Sequence, residues 1–123
     1  MTTDCVFCQI VAGTSPAKFV ASTPDAITIH PLYPVTLGHM IVIPTKHVAD
    51  FTTDPDVSAL TMAEAARVAA IYGWPCNIIT SRGREATQSV FHLHLHIVPR
   101  RENDGLALPW YSGKSRKTAP AAS

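Results

Sequence analysis

The stretch Gln88-Ser89-Val90-Phe91-His92-Leu93-His94-Leu95-His96-Ile97-Val98 alternates three imidazoles with apolar side chains. In an extended strand, successive side chains point to opposite faces. Leu93, Leu95 and Ile97 are therefore expected on a core face. His92, His94 and His96 are expected on the other, about 6.6 Å apart per two residues. Sheet packing does not ask for such a row, because leucine or threonine fit a strand better. Two chemistries use it. One is a metal cluster, since histidine is the commonest metal ligand. The other is phosphoryl transfer through a nucleophilic histidine, with a neighbouring imidazole donating to phosphate oxygens. Phosphoryl transfer depends on positioning and charge stabilisation more than on acid–base strength. Gln88 and Ser89, just upstream, add neutral hydrogen-bond donors. The sequence has no P-loop pattern and no acidic cluster suited to Mg²⁺.

A second candidate site is Cys5-Val6-Phe7-Cys8. A C-x-x-C pair in a reducing compartment points to metal or redox chemistry. Zinc takes four sulfur or nitrogen ligands. Cys5 and Cys8 supply half of them, and the local spacing does not choose the rest. The plainer alternative is two buried thiols. Cys76 is expected to be a buried free thiol in a strand. Three cysteines make an odd count, which argues against a disulfide framework.

The elements that must position these residues can be read from pattern and punctuation. Residues 18–23 and 26–30 are expected as short strands turned at Thr23-Pro24-Asp25. Residues 39–44 form a stronger strand between Gly38 and Pro44. Asp54 and Pro55 read as N-cap and first residue of a helix with body 56–72. Val57, Leu60, Val68 and Ile71 are spaced as its buried face. Gly73 and Pro75 end it. Residues 76–81 and 90–98 are expected to pair, joined by the loop 82–89. Strands, one main helix, then strands make an α+β domain with a mostly antiparallel sheet. The domain is expected to span 1–111, with 112–123 a disordered tail rich in Ser, Lys, Ala and Pro.

Composition limits the alternatives. The chain has 123 residues, 46% hydrophobic and 15% charged, against a usual charged share of about 25%. A net charge of +1 provides no field for specific nucleic-acid or anionic-lipid binding. No apolar run is long enough to cross a membrane, and the polar start is unlike a signal peptide. The expected location is the cytoplasm.

Taken together, these segments resemble the histidine-triad (HIT) family. Its signature is H-x-H-x-H followed by hydrophobic residues and often preceded by Q-S-V. The N-terminal C-x-F-C segment, Pro16-Ala17-Lys18 and the stretch Gly38-His39-Met40-Ile41-Val42-Ile43-Pro44-Thr45-Lys46-His47 extend the likeness over roughly residues 4–101. The resemblance implies a HIT-like fold, an antiparallel sheet of about five strands with a main helix packed on it. It implies a homodimer paired through that helix and the following strand. It implies a nucleotide hydrolase or nucleotidyl transferase cleaving a phosphoramidate or dinucleoside polyphosphate at the α-phosphorus. His94 matches the nucleophile, His96 a phosphate contact, and His92 a supporting member of the catalytic set. Gln88 and Ser89 would contact phosphate or leaving group. In zinc-containing members the ligands match Cys5, Cys8, His47 and His92, a structural site. His39 reads as structural. Trp110 and Tyr111 would cover the pocket or a partner, or close the core edge.

The likeness also has departures. An acid that contacts ribose in several members is replaced by Pro31, after His30. Ser81 stands where some members carry an asparagine, and Thr87 where glycine is common. His30, Ser81 and Thr87 are nevertheless candidate substrate-binding residues. Arg82 and Arg84 make the loop more basic than usual. The segment from Phe51 to Gly73 is short for a dimer surface. Competing readings are a nucleotide-binding module with little turnover, a zinc-stabilised interaction protein, and a histidine-cluster metal protein. The intact His92-His94-His96 set with Gln88 favours the enzyme over the first. The C-x-x-C pair, which can serve zinc with one triad histidine, disfavours the last.

Overall fold

The computed structural model describes residues 4–114; of the expected tail, 115–123 lie outside them. A short helix α1 (Val6–Ala12) precedes strands β1 (Lys18–Ser22), β2 (Ala26–His30) and β3 (Met40–Pro44). Helix α2 (Pro55–Tyr72), strand β4 (Cys76–Ile79), a 3-10 turn at Arg84–Ala86 and strand β5 (Leu95–Pro99) follow. The strands form one antiparallel sheet in the order β1-β2-β3-β5-β4. The expected α+β class and five-stranded antiparallel sheet are therefore present. Among the described residues no helix is long and apolar enough to cross a membrane.

Both faces of the central strands are covered, which explains why AITIH and MIVIP show little polar alternation. On one face Ala26, Met40, Val42, Leu95 and Ile97 pack with Val57, Ala65 and Val68 of α2. On the other, Ile27, Ile29, Ile41 and Ile43 pack with Phe7 and Ile10 of α1. Helix α2 starts as its sequence signals require: the Asp54 carboxylate accepts from the Asp56 and Val57 N–H groups, and Pro55 opens the helix.

Four expectations need correction. The buried stripe of α2 is Val57, Thr61, Glu64, Ala65 and Val68, whereas Leu60 is 49% and Ile71 80% exposed. At about 100° of turn per residue, the buried positions fill one arc whose edge is Glu64, and Leu60 and Ile71 fall beyond that edge. The last strand begins at Leu95, not at residue 90. Val42 pairs Leu95, so one further pair of that face would set Leu93 opposite Pro44. Proline has no N–H to give, and its carbonyl already accepts from His92 Nε2 at 2.9 Å. Leu93 N–H donates instead to Val48 O at 2.8 Å. Strand β4 likewise stops at Ile79, and the Thr80 hydroxyl, not its backbone, donates to His94 O at 2.8 Å. Cys76 is half-buried rather than buried.

Helix α1 has no strong signal in the sequence. Cys5 caps it, its thiol accepting from Cys8 N–H at 3.3 Å, although cysteine is not a usual N-cap. After β5, the Arg100 guanidinium grips both Asp104 oxygens at 2.8 and 3.1 Å and Asn77 Oδ1 at 2.6 Å. It also lies over the Tyr111 ring at 5.7 Å. Tyr111 therefore belongs to the edge of the core, while Trp110 is 64% exposed.

Candidate functional site

Two clusters meet where α1 crosses the β3–β5 side of the sheet. In the first, one donor atom from each of Cys5, Cys8, His47 and His92 lies within 4.8 Å of all the others. His92 Nδ1 is 3.4 Å from Cys5 Sγ, 3.4 Å from Cys8 Sγ and 3.0 Å from His47 Nδ1. Cys8 Sγ is 3.2 Å from His47 Nδ1. A tetrahedral zinc ion with its usual bond lengths sets such donors about 3.3–3.8 Å apart. The donor set of two sulfurs and two nitrogens fits that ion. His92 Nε2–H donates to Pro44 O, leaving Nδ1 as the lone-pair atom turned to the cluster, as a metal-ligating histidine requires. The four residues come from the cap and first turn of α1, the segment after β3 and the segment before β5. Only the folded sheet brings them together.

The second cluster is a directed chain of imidazoles. Val35 N–H donates to His39 Nδ1 at 3.1 Å, so the proton of this neutral ring is on Nε2. His39 Nε2–H then donates to His96 Nδ1 at 2.9 Å. That leaves His96 with an N–H on Nε2, a donor suited to an anionic oxygen. His94 has the opposite tautomer. Its Nδ1–H donates to the His92 carbonyl at 2.8 Å, and the lone pair falls on Nε2. The His94 ring sits edge-on between Phe7, at 5.0 Å, and His96, at 5.1 Å. His39, expected to be structural, thus fixes the protonation of His96. The signal for this was its place beside Gly38, but recognising it needs the strand pairing. Gly38 has φ +87 and a Cβ there would fall 2.5 Å from the Trp74 ring, so any side chain before His39 would strain the backbone and have to displace that ring.

Burial is the first cause that pushes His39, His92, His94 and His96 below the ordinary imidazole value. His96 is lowered from 6.5 to about 4, with His94 and His39 as further causes. The row is therefore neutral at neutral pH. Between 6.5 and about 4, an unfolded imidazole takes up a proton that folded His96 refuses. Stability should consequently fall with pH through that window. The acid limb of the pH–rate profile is expected below the ordinary 6.5. A profile already falling at or above that value would mean that the imidazoles are solvated and freely charged.

The remaining candidates are placed as follows. Gln88 is buried, and its amide is committed to the loop. Oε1 accepts from Gly83 N–H at 2.8 Å, and Nε2 donates to Ala49 O at 2.8 Å and Val90 O at 3.1 Å. The structure thus makes Gln88 a clamp on the loop rather than a free donor to phosphate. Ser89 is exposed beside it, as is Thr87. Thr87 has φ +73, a conformation that costs a β-branched residue about 1–2 kcal/mol, which explains the preference for glycine there. Ser81 is half-buried beyond the end of β4, and Arg82 and Arg84 are exposed, Arg84 over the Phe91 ring at 5.5 Å. His30 ends β2, exposed, with Nδ1 3.4 Å from His39 O.

Comparison with known proteins gives concordant matches. Residues 12–103 match the family model described as HIT domain. An uncharacterized HIT-like protein of Mycobacterium tuberculosis is 36% identical over 111 residues, 85% of this chain and 76% of its own. The adenosine 5′-monophosphoramidase of Schizosaccharomyces pombe is 33% identical over 111 residues, 88% of this chain and 84% of its own. Among solved structures, a Zn-bound histidine triad family protein from Mycobacterium smegmatis superposes with a TM-score of 0.80 at 38% identity. That match covers 87% of this chain and 82% of that one.

Proposed function

The chain belongs to the HIT domain family, and from that premise we propose that it is a nucleotide hydrolase or nucleotidyl transferase working through a covalent intermediate on His94. The observation that carries the proposal is the paired tautomers: a bare Nε2 on His94 beside an Nε2–H on His96. The first is a nucleophile and the second an anion donor. His94 Nε2 attacks the α-phosphorus of a nucleoside phosphoramidate or dinucleoside polyphosphate. The phosphorus–nitrogen or phosphorus–oxygen bond to the leaving group breaks, and that group departs with the electron pair and gains a proton from solvent. His96 Nε2–H stabilises a non-bridging oxygen as charge develops. The nucleotidyl imidazole is cationic, and the His92 carbonyl on its Nδ1–H offsets that charge. Water, or an acceptor, then displaces the histidine and releases the nucleotide. Zinc held by Cys5, Cys8, His47 and His92 would supply a structural tie between α1 and the sheet. The name of the Schizosaccharomyces pombe relative, an adenosine 5′-monophosphoramidase, supports the phosphoramidate reading. The test is to mix the protein with such substrates, quench, and locate the adduct by mass spectrometry. A nucleotidyl group on His94 supports the proposal; hydrolysis with no adduct on any histidine overturns it.

Sugar recognition follows from Pro31. Its side chain and nitrogen offer the ribose no hydrogen bond. A site that does not bond a hydroxyl discriminates weakly against the analogue lacking it. Ribo- and 2′-deoxyribonucleotide substrates should therefore differ little in kcat/KM. Pro31→Asp should raise the ribose preference by on the order of 1 kcal/mol, the net worth of one hydrogen bond. A wild-type preference well above about tenfold would mean that another residue, such as Ser81 or His30, holds the sugar.

A further inference from the structure

Besides the His96 ring, two contacts orient the His94 imidazole, and these two lead back to the cysteine–histidine cluster. The carbonyl that accepts its Nδ1–H belongs to His92, itself one of the four clustered donors. The ring wall against it is Phe7, 5.0 Å away at 72° to His94 and 6.0 Å away at 86° to His92. Phe7 lies in sequence between Cys5 and Cys8, in the first turn of α1. That helix has seven residues, too few to persist without tertiary support. Its supports are the buried side chains of Phe7 and Ile10 and the two cysteines in the cluster. The placement of the Phe7 ring therefore rests on its packing against β2 and β3 together with the grip on the flanking Cys5 and Cys8.

We propose that Phe7 is a positioning residue for the nucleophile, through which a metal ion held by Cys5, Cys8, His47 and His92 sets the direction of His94 Nε2. The proposal rests on reading His94 as the nucleophile. The second torsion of a histidine side chain is broad and roughly two-fold. The imidazole of His94 thus needs neighbours that forbid rotation. The His92 carbonyl holds one edge and the Phe7 ring blocks the sweep of the other. With the cluster occupied, His92 and α1 are fixed to one point, so carbonyl and wall are fixed relative to each other. With the cluster empty, α1 loosens, and the wall moves away from the ring. His94 then samples orientations in which Nε2 does not face the phosphorus. The consequence reaches the chemical step before it reaches substrate binding, because misplacement by about 1 Å costs on the order of a hundredfold in rate.

The test uses the full chain loaded with zinc and the variant Phe7→Leu, which keeps an apolar side chain but removes the ring. The nitrogen NMR shifts of His94 report its tautomer without any reference to activity. Wild type should show one Nδ1-protonated species. Phe7→Leu should retain its zinc, show mixed His94 tautomers, and lose about tenfold or more in kcat with KM little changed. Removing zinc from wild type by chelation should produce the same His94 signature, reversed on adding zinc back, so the test stands even where Phe7→Leu folds poorly. A folded Phe7→Leu protein with wild-type His94 shifts and kcat overturns the proposal. So does a chelated wild type whose His94 signal is unchanged. Failure of the nucleophile reading is separate: it would appear as an active His94→Asn protein, while the NMR arm still reports whether Phe7 orients the ring.

Discussion

His94→Asn is expected to fold normally and to lose on the order of a thousandfold or more in turnover, the scale of removing a covalent nucleophile. Asparagine is chosen because its side-chain amide can still donate to the His92 carbonyl, as His94 Nδ1 does at 2.8 Å. What it lacks is the Nε2 lone pair. The His94 side chain is only partly covered, and its backbone is held independently by the Thr80 hydroxyl. The change therefore removes the reacting atom without opening a void in the main core. Melting temperature should change little, and substrate affinity should survive through His96. The checks are single-turnover kinetics and the mass of the quenched protein, which should carry no adduct. Turnover within about tenfold of wild type would end the assignment of His94 as nucleophile.

The second large effect is expected at the cysteine–histidine cluster. Purified protein should contain about one zinc per chain, and either chelation or Cys5→Ser should lower stability. The four donor atoms are already gathered within 4.8 Å of one another, close enough for one ion to draw them to its bond lengths. Removing the ion leaves a seven-residue helix secured by little beyond Phe7 and Ile10. It also leaves His92, which is fully buried, with its Nδ1 facing thiols. Any ion that binds only the folded chain adds its binding free energy to stability. A loss of about 2–4 kcal/mol is expected, seen as a fall of roughly 10 °C or more in Tm. Zinc analysis together with melting curves, with and without chelator, makes the measurement. A zinc-free preparation that melts at the same temperature in both conditions would show that the cysteines are simply packed thiols.

Much of the site lies in local sequence, and the reason is physical. Alternation alone puts His92, His94 and His96 on one side of an extended chain, whatever the rest of the fold does. The helix ends are equally local: Asp54, Pro55 and Gly73 act on backbone groups within a few residues. The α+β class follows from the order of such segments. Local pattern failed where a partner decides. Helix α1 is capped by a cysteine whose role depends on residues far along the chain. The last strand begins only at Leu95 because of Pro44, a residue on another strand. The α2 face excludes Leu60 and Ile71 because the sheet lies to one side of them.

The sequence by itself determined which atoms are available: three alternating imidazoles, a C-x-x-C pair, and no carboxylate at residue 31. Tertiary structure alone decided how each is used. Gln88 reads as a phosphate donor until Gly83, Ala49 and Val90 take its amide. His39 reads as structural until the pairing of β3 with β5 sets it against His96. Phe7 is only a letter inside the C-x-x-C segment until α1 sets its ring 5.0 Å from His94. A side chain's identity and spacing are properties of the chain, but its tautomer, its committed hydrogen bonds and its lone-pair direction depend on neighbours that only folding supplies.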